Sequence, residues 1–382
     1  MSGPASDIDE SLLHPLIRER YSVREMPRAH SLVVRMDITN KCNLDCIQCT
    51  LAVNRLAAGD SPSDMSVDLF AGIARDIFPY AHLVALSCEA EPTMHGRFED
   101  ILKVVGETRG PGYLLTTNAT TLTERRVQAL FDCNMGGINI SMDGATPETF
   151  ERIRQRGRFD SVVKAIERIN HIKASRGLGR DHCPLLQINY TLMRSTLREL
   201  PRMVELCRQW NVHRLTLQHV YVTGQTGLHA ESLVHEPALS DGILRECKAA
   251  CETYGIQTTF PVLFNPDPEP GGTSEAPAAV PAEPDPLVAE PPLFCYAPWR
   301  MLRIRWNGTV HPCDLWGGVP IGDLRTQSFE EIWNSPQYLR LRWDHARRMP
   351  THPSCVGCTM VTTDNLEGRA KRTPLVLTPA TG

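Results

Sequence analysis

Cys42, Cys46 and Cys49 stand in one short run, Asn40-Lys-Cys-Asn-Leu-Asp-Cys-Ile-Gln-Cys49. Three thiolates in such a loop suit three irons of a 4Fe–4S cube, which leaves the fourth iron without a protein ligand. Cluster irons are ordinarily held by cysteine sulfur, so a missing fourth cysteine means an open coordination position where a small molecule can bind and react. Taken alone, the same three residues also suit part of a zinc knuckle, a disulfide framework or a buried patch of small side chains. A zinc site wants a fourth ligand, and His30 and His82 lie outside the loop. Disulfides want an oxidising compartment, and the first ten residues are acidic and lack the apolar core of a secretion signal.

A second set, Cys295, Cys313, Cys355 and Cys358, supplies four thiolates, enough for a closed zinc site or a fully ligated cluster. The remaining cysteines, Cys133, Cys183, Cys207, Cys247 and Cys251, are expected to pack in the core. Cys88, beside the Glu89-Ala-Glu91 run, is expected to pack as well.

Elements that would carry these residues follow from the apolar pattern. Strands are expected at Leu32–Thr39, Leu83–Ser87, Tyr113–Thr117, Gly137–Met142, Leu185–Thr191 and Arg214–Val220. Helices are expected at Asp68–Phe78, Phe98–Arg109, Glu124–Cys133, Pro147–Ile153, Ser161–Arg176, Leu197–Trp210 and Asp241–Tyr254. Strands alternating with helices at this interval argue for a parallel α/β sheet, a partial (βα)6 TIM-like barrel, whose chemistry sits at the carboxyl ends of the strands. The cysteine loop follows the first strand. Residues 265–291 are rich in Pro, Glu and Ala and read as a linker. The chain is thus divided into an N-terminal extension (1–30), a core domain (31–264), the linker, a second module (292–365) and a C-terminal tail (366–382).

The chain has 382 residues, 42% of them hydrophobic and 22% charged, with a formal charge of −4. That balance gives no reason to expect nucleic acid or an anionic membrane surface as partner. No apolar run approaches the roughly 18–20 residues of a membrane span. A cytoplasmic location is expected, because thirteen cysteines without an export signal suit a reducing compartment.

The spacing Cys42-x3-Cys46-x2-Cys49 resembles the signature of the radical S-adenosylmethionine (radical SAM) superfamily. The resemblance implies that the methionine end of S-adenosylmethionine chelates the open iron. It also implies roles for strand-end residues. Glu91, in Ala90-Glu-Pro92 where relatives carry Gly-Gly-Glu, would meet the cofactor's ammonium. Asn118 and Ser141 would bond its ribose or carboxylate, and Arg154 would pair the carboxylate. Gln48 departs from the family, which commonly has an aromatic residue there, packed by the adenine.

The second module resembles the auxiliary-cluster region of SPASM and Twitch domains. The resemblance is carried by Met301-Leu-Arg-Ile-Arg-Trp-Asn-Gly-Thr-Val-His-Pro-Cys313, by Pro320-Ile-Gly-Asp-Leu324 and by Ser328-Phe-Glu-Glu-Ile-Trp333. With no cysteine after Cys358, it is similar to the one-cluster Twitch form of the 2-deoxy-scyllo-inosamine dehydrogenases. This implies two 4Fe–4S clusters, one with an open iron and one fully cysteine-ligated, and an external one-electron reductant of flavodoxin or ferredoxin type. It further implies a 5′-deoxyadenosyl radical that takes hydrogen from a sugar, cyclitol or aminoglycoside-like small molecule. An alcohol would be oxidised, with the auxiliary cluster accepting the electron. A peptide-modifying maturase and an epimerase or dehydratase are the alternatives, and a non-catalytic zinc or iron–sulfur binding protein is a third reading from another class. Tyr190, Arg194 and Gln218 would contact substrate, and His219 would accept the hydroxyl proton.

Overall fold

The computed structural model describes residues 23, 25–49, 61–87, 89–222, 227–261, 263–265, 295–317, 319–347, 351–355 and 358. Cys88, residues 266–291 of the expected linker, most of the N-terminal extension and the tail lie outside these residues.

One ten-stranded open sheet organises the protein. Its core strands are β1 (Leu32–Met36), β2 (Ala81–Leu86), β3 (Gly112–Thr117), β4 (Gly137–Ser141), β5 (Leu185–Leu192) and β6 (Arg214–His219). They pair in parallel in chain order, so all six carboxyl ends share one rim. The expected α/β fold with its parallel sheet is the observed one. A seventh strand, β7 (Gln257–Thr259), extends the far edge by pairing with β6. Gln257-Thr-Thr259, three polar residues in a row, carries too little pattern to be read from sequence.

The longer helices between the strands are α1 (Val67–Ile77), α2 (Phe98–Glu107), α3 (Glu124–Asp132), α4 (Pro147–Ile153), α5 (Phe159–Ser175), α6 (Leu200–Gln209) and α7 (Pro237–Thr253). Local chemistry sets their starts. The hydroxyls of Ser66, Thr123 and Thr146 accept from the N–H three residues on, capping α1, α3 and α4. Each then buries one stripe; in α1 this is Phe70, Ile73, Ala74 and Ile77, at the i, i+3, i+4, i+7 spacing. These stripes and the sheet form one large apolar core, while Ile153 of α4 packs with Met193 and Val220 in a small second cluster.

The C-terminal region is continuous with that sheet. β8 (Met301–Ile304) lies parallel to β1, with Met36 opposite Ile304. β9 (Thr309–His311) and β10 (Gly322–Asp323) follow antiparallel. The turn between β8 and β9 has Gly308 at φ +80°, a left-handed conformation open to glycine, as Asn307-Gly308 suggests. α8 (Phe329–Trp333), started by a Ser328–Glu331 capping box, and α9 (Pro336–Ala346) complete the region.

One packing expectation fails. Cys133, Cys207, Cys247 and Cys251 are buried, but Cys183 is exposed, because it sits before Pro184 in the turn that precedes β5.

Candidate functional site

The loop after β1 carries Cys42, Cys46 and Cys49, all partly buried. Asn40 anchors its start: its Nδ2 donates to Ser61 O at 2.9 Å and its Oδ1 accepts from Ser63 N at 2.7 Å. Its middle is zipped to the end of α4, where Asp45 pairs with Gln155 and Cys46 with Arg154. Ile47 N adds a bond to Ile153 O at 3.0 Å. That pairing sets Arg154 Nη1 3.8 Å from Cys46 Sγ.

Arg154 is held in turn by Asp143, just beyond β4, with Nη2 2.7 Å from Asp143 Oδ2. Asp143 is 1% exposed. It also accepts from Gln48 Nε2 at 2.5 Å and from Thr191 N at 2.8 Å. A carboxylate only accepts, so the Gln48 amide must present its NH2 to Asp143. Gln48 Oε1 and Arg154 Nε remain buried without a protein partner.

Burial pushes the Cys46 thiol up to about 12; Arg154 opposes this, while Cys49, Asp143 and Cys42 add to it. A thiolate in this place therefore calls for a cation, and thiolate is the form that ligates iron. The donor set is purely sulfur, with a guanidinium and the Leu44 N–H, 3.5 Å from Cys42 Sγ, supplying hydrogen bonds. Among the described residues no three His, Cys, Asp or Glu side chains converge as one metal ion would demand. A cubane instead takes its thiolates at separate iron corners, and three thiol donors are the ligand chemistry such a group takes.

Glu91 follows β2 and is 2% exposed. Its Oε1 accepts from Thr93 N (3.2 Å), Thr93 Oγ1 (2.5 Å) and Thr117 Oγ1 (2.7 Å), and its Oε2 from Asn118 N (2.6 Å). Burial raises its pKa while these donors pull it back. Asn118 passes the connection on, donating from Nδ2 to Asn43 Oδ1 at 3.0 Å inside the cysteine loop. Ser87 turns the chain out of β2 with φ +82°, a strained value for a non-glycine residue at a site of this kind. Ser141 ends β4 half-buried. Glu91, Asn118, Ser141 and Arg154 thus all stand on the rim that carries the cysteine loop.

The proposed substrate residues are more scattered in role. Tyr190 is fully buried and its hydroxyl donates to Thr196 O at 2.8 Å. Arg194, half-exposed, pairs with Glu236 at 2.8 Å and donates to Ala230 O at 3.2 Å. His219 lies 5.4 Å, ring to ring, from Phe264, and burial lowers its pKa.

In the C-terminal region Cys295, Cys313, Cys355 and Cys358 are all free. Burial first, and then the other thiols of the set, raise Cys313 to about 12 and Cys355 to about 11. His345 Nε2 lies 3.3 Å from Cys355 Sγ, a contact no sequence pattern announced. Asp37 and Arg303, which join this region to the core, were equally silent in sequence. Asp143 lies one residue beyond the strand expected at Gly137–Met142 and was not singled out in the sequence.

Residues 36–207 match the radical SAM superfamily, and residues 295–359 match the SPASM iron–sulfur cluster-binding domain. Residues 36–207 are therefore a radical SAM domain and residues 295–359 a SPASM domain, and the two imply S-adenosylmethionine, iron–sulfur clusters and a reductant. The chain is 22% identical over 347 residues to the tungsten-containing aldehyde ferredoxin oxidoreductase cofactor-modifying protein of Pyrococcus furiosus, covering 85% of this chain and 86% of that protein. It is 21% identical over 315 residues to the Fe-coproporphyrin III synthase of Methanosarcina barkeri, covering 79% and 73%. Its fold is similar to that of Streptococcus suis SuiB bound to S-adenosylmethionine, with a TM-score of 0.62 at 16% identity, covering 87% and 72%. SuiB is also known bound to its precursor peptide SuiA. Among the described residues no helix is long and apolar enough to cross a membrane.

Proposed function

We propose that this protein is a radical SAM oxidoreductase that oxidises an alcohol of a sugar, cyclitol or aminoglycoside-like small molecule. The observation that carries this reading is the pair of cysteine sets, one of three and one of four. When bound, the cofactor and clusters supply hydrogen-atom abstraction at carbon and a sink for the electron left behind.

Cys42, Cys46 and Cys49 hold the first cluster; Cys295, Cys313, Cys355 and Cys358 hold the second. Glu91 Oε2, which among the described residues receives the Asn118 N–H alone, has a lone pair left for the cofactor's ammonium. Arg154 Nε and the Ser141 hydroxyl offer donors to its carboxylate or ribose, and Asn118 secures the cysteine loop through Asn43. His219, kept neutral by burial, accepts the proton of the substrate hydroxyl. An external one-electron carrier of flavodoxin or ferredoxin type serves as reductant.

Anaerobic reconstitution tests the reading. Two cubes require about eight irons per chain. Cys46→Ala should lose half of the iron and all formation of 5′-deoxyadenosine. With a deuterated cyclitol alcohol, label should enter 5′-deoxyadenosine and a ketone should accumulate. Label transfer from a peptide, with none from any alcohol, would replace this reading with the peptide-modifying one.

A further inference from the structure

We infer that Arg154 and Asp143 act together as a charge lever on the first cluster, setting its reduction potential through the sulfur of Cys46. The inference rests on the reading that Cys42, Cys46 and Cys49 hold that cluster.

The backbone pairing of Cys46 with Arg154 fixes the approach, so the guanidinium reaches this sulfur and not those of its neighbours by chance of rotamer. Nη1 donates to Cys46 Sγ, while Nη2 is fastened to Asp143. Asp143 is itself immobilised by the Thr191 N–H from β5 and by Gln48, so the positive end of the pair cannot swing away. The Arg154 side chain is 11% exposed and that of Asp143 1%, which leaves little water to screen either charge.

Reduction adds one negative charge to a cluster. A nearby cation and a hydrogen bond to sulfur both favour that charge, and a nearby anion opposes it. The two members of the pair therefore push in opposite directions, and their removal should do so too. Arg154→Gln deletes the cation and leaves Asp143 facing the sulfur, so the potential falls. Asp143→Asn deletes the anion, keeps an acceptor for the Thr191 N–H, and lets the potential rise.

A dithionite titration without S-adenosylmethionine, followed by electron paramagnetic resonance, reads this directly. The first cluster is the signal that Cys46→Ala abolishes. Each variant should shift its midpoint by a tenfold change in the one-electron equilibrium or more, which is 59 mV, downward for Arg154→Gln and upward for Asp143→Asn. Arg154→Lys, which retains the charge without the fork, should lie between wild type and Arg154→Gln and guards against a variant that fails to fold. Unchanged midpoints, or shifts of the same sign in both variants, overturn the lever and leave a purely structural pair. Failure of the wild-type loop to assemble any cluster overturns the underlying reading as well.

Discussion

Arg303 and Asp37 are 266 positions apart in sequence and 3.0 Å apart in the fold. Both are almost fully buried, and Arg303 reaches Glu89 as well, at 2.9 Å. One guanidinium thus ties β8 of the C-terminal region to the end of β1 and to the loop that leads to Glu91. Removing one partner of a buried ion pair typically costs about 3–5 kcal/mol, because the other charge stays in the interior. Arg303→Met should show a loss of that size in urea unfolding and should loosen the cysteine loop, measured as faster amide exchange at residues 37–49.

Gly144 stands where the chain leaves β4 and turns into α4. A Cβ there would lie 2.5 Å from Phe150 N and 2.9 Å from Phe150 Cα, both immovable backbone atoms. Gly144→Ala should therefore displace Asp143 as well as cost about 1–3 kcal/mol of stability. Iron retention by the first cluster should drop while that by the second stays level, a difference that iron analysis in a Cys313→Ala background resolves.

Glu91 carries a pH signature. Burial raises its pKa above that of an exposed glutamate, so the folded chain takes up this proton before the unfolded chain does. Between the two pKa values the folded state binds more protons, and stability falls as pH rises through that window. Relative to Glu91→Gln, which cannot titrate, wild type should gain stability on acidification from neutral pH towards the ordinary glutamate range. Urea midpoints at a series of pH values check the sign; parallel curves would mean that the carboxyl does not titrate differently on folding.

Tyr190 and Arg194 separate stability from chemistry. Tyr190→Phe removes one buried hydrogen bond and should cost about 1 kcal/mol. Arg194→Ala breaks a half-exposed pair with Glu236 and should cost under about 1 kcal/mol. A fall in turnover far beyond these small stability losses would mark either residue as a substrate contact.

The alternation of strand and helix was legible because apolar periodicity and caps are local. α4 has the bounds expected of it, and Thr146 caps it two residues after the turn glycine. The C-terminal hairpin was legible for the same reason, through Asn307-Gly308. The β7 edge strand was not, since three residues carry too little pattern. Nor was the burial of Tyr190, whose place at the end of β5 says nothing of the Thr196 carbonyl that its hydroxyl meets.

Sequence alone determined which atoms are available for chemistry: seven thiols in sets of three and four, at spacings that leave one set short of a ligand. Donor identity and spacing within a loop are properties of the chain itself. Tertiary structure alone decided what surrounds those thiols. Arg154 meets Cys46 across 108 positions and Gln48 meets Asp143 across 95, and such encounters exist only once the parallel strands align their carboxyl ends on one rim. Burial then gives these polar contacts their strength, because charges and hydrogen bonds shielded from water act on one another through a weakly screening interior.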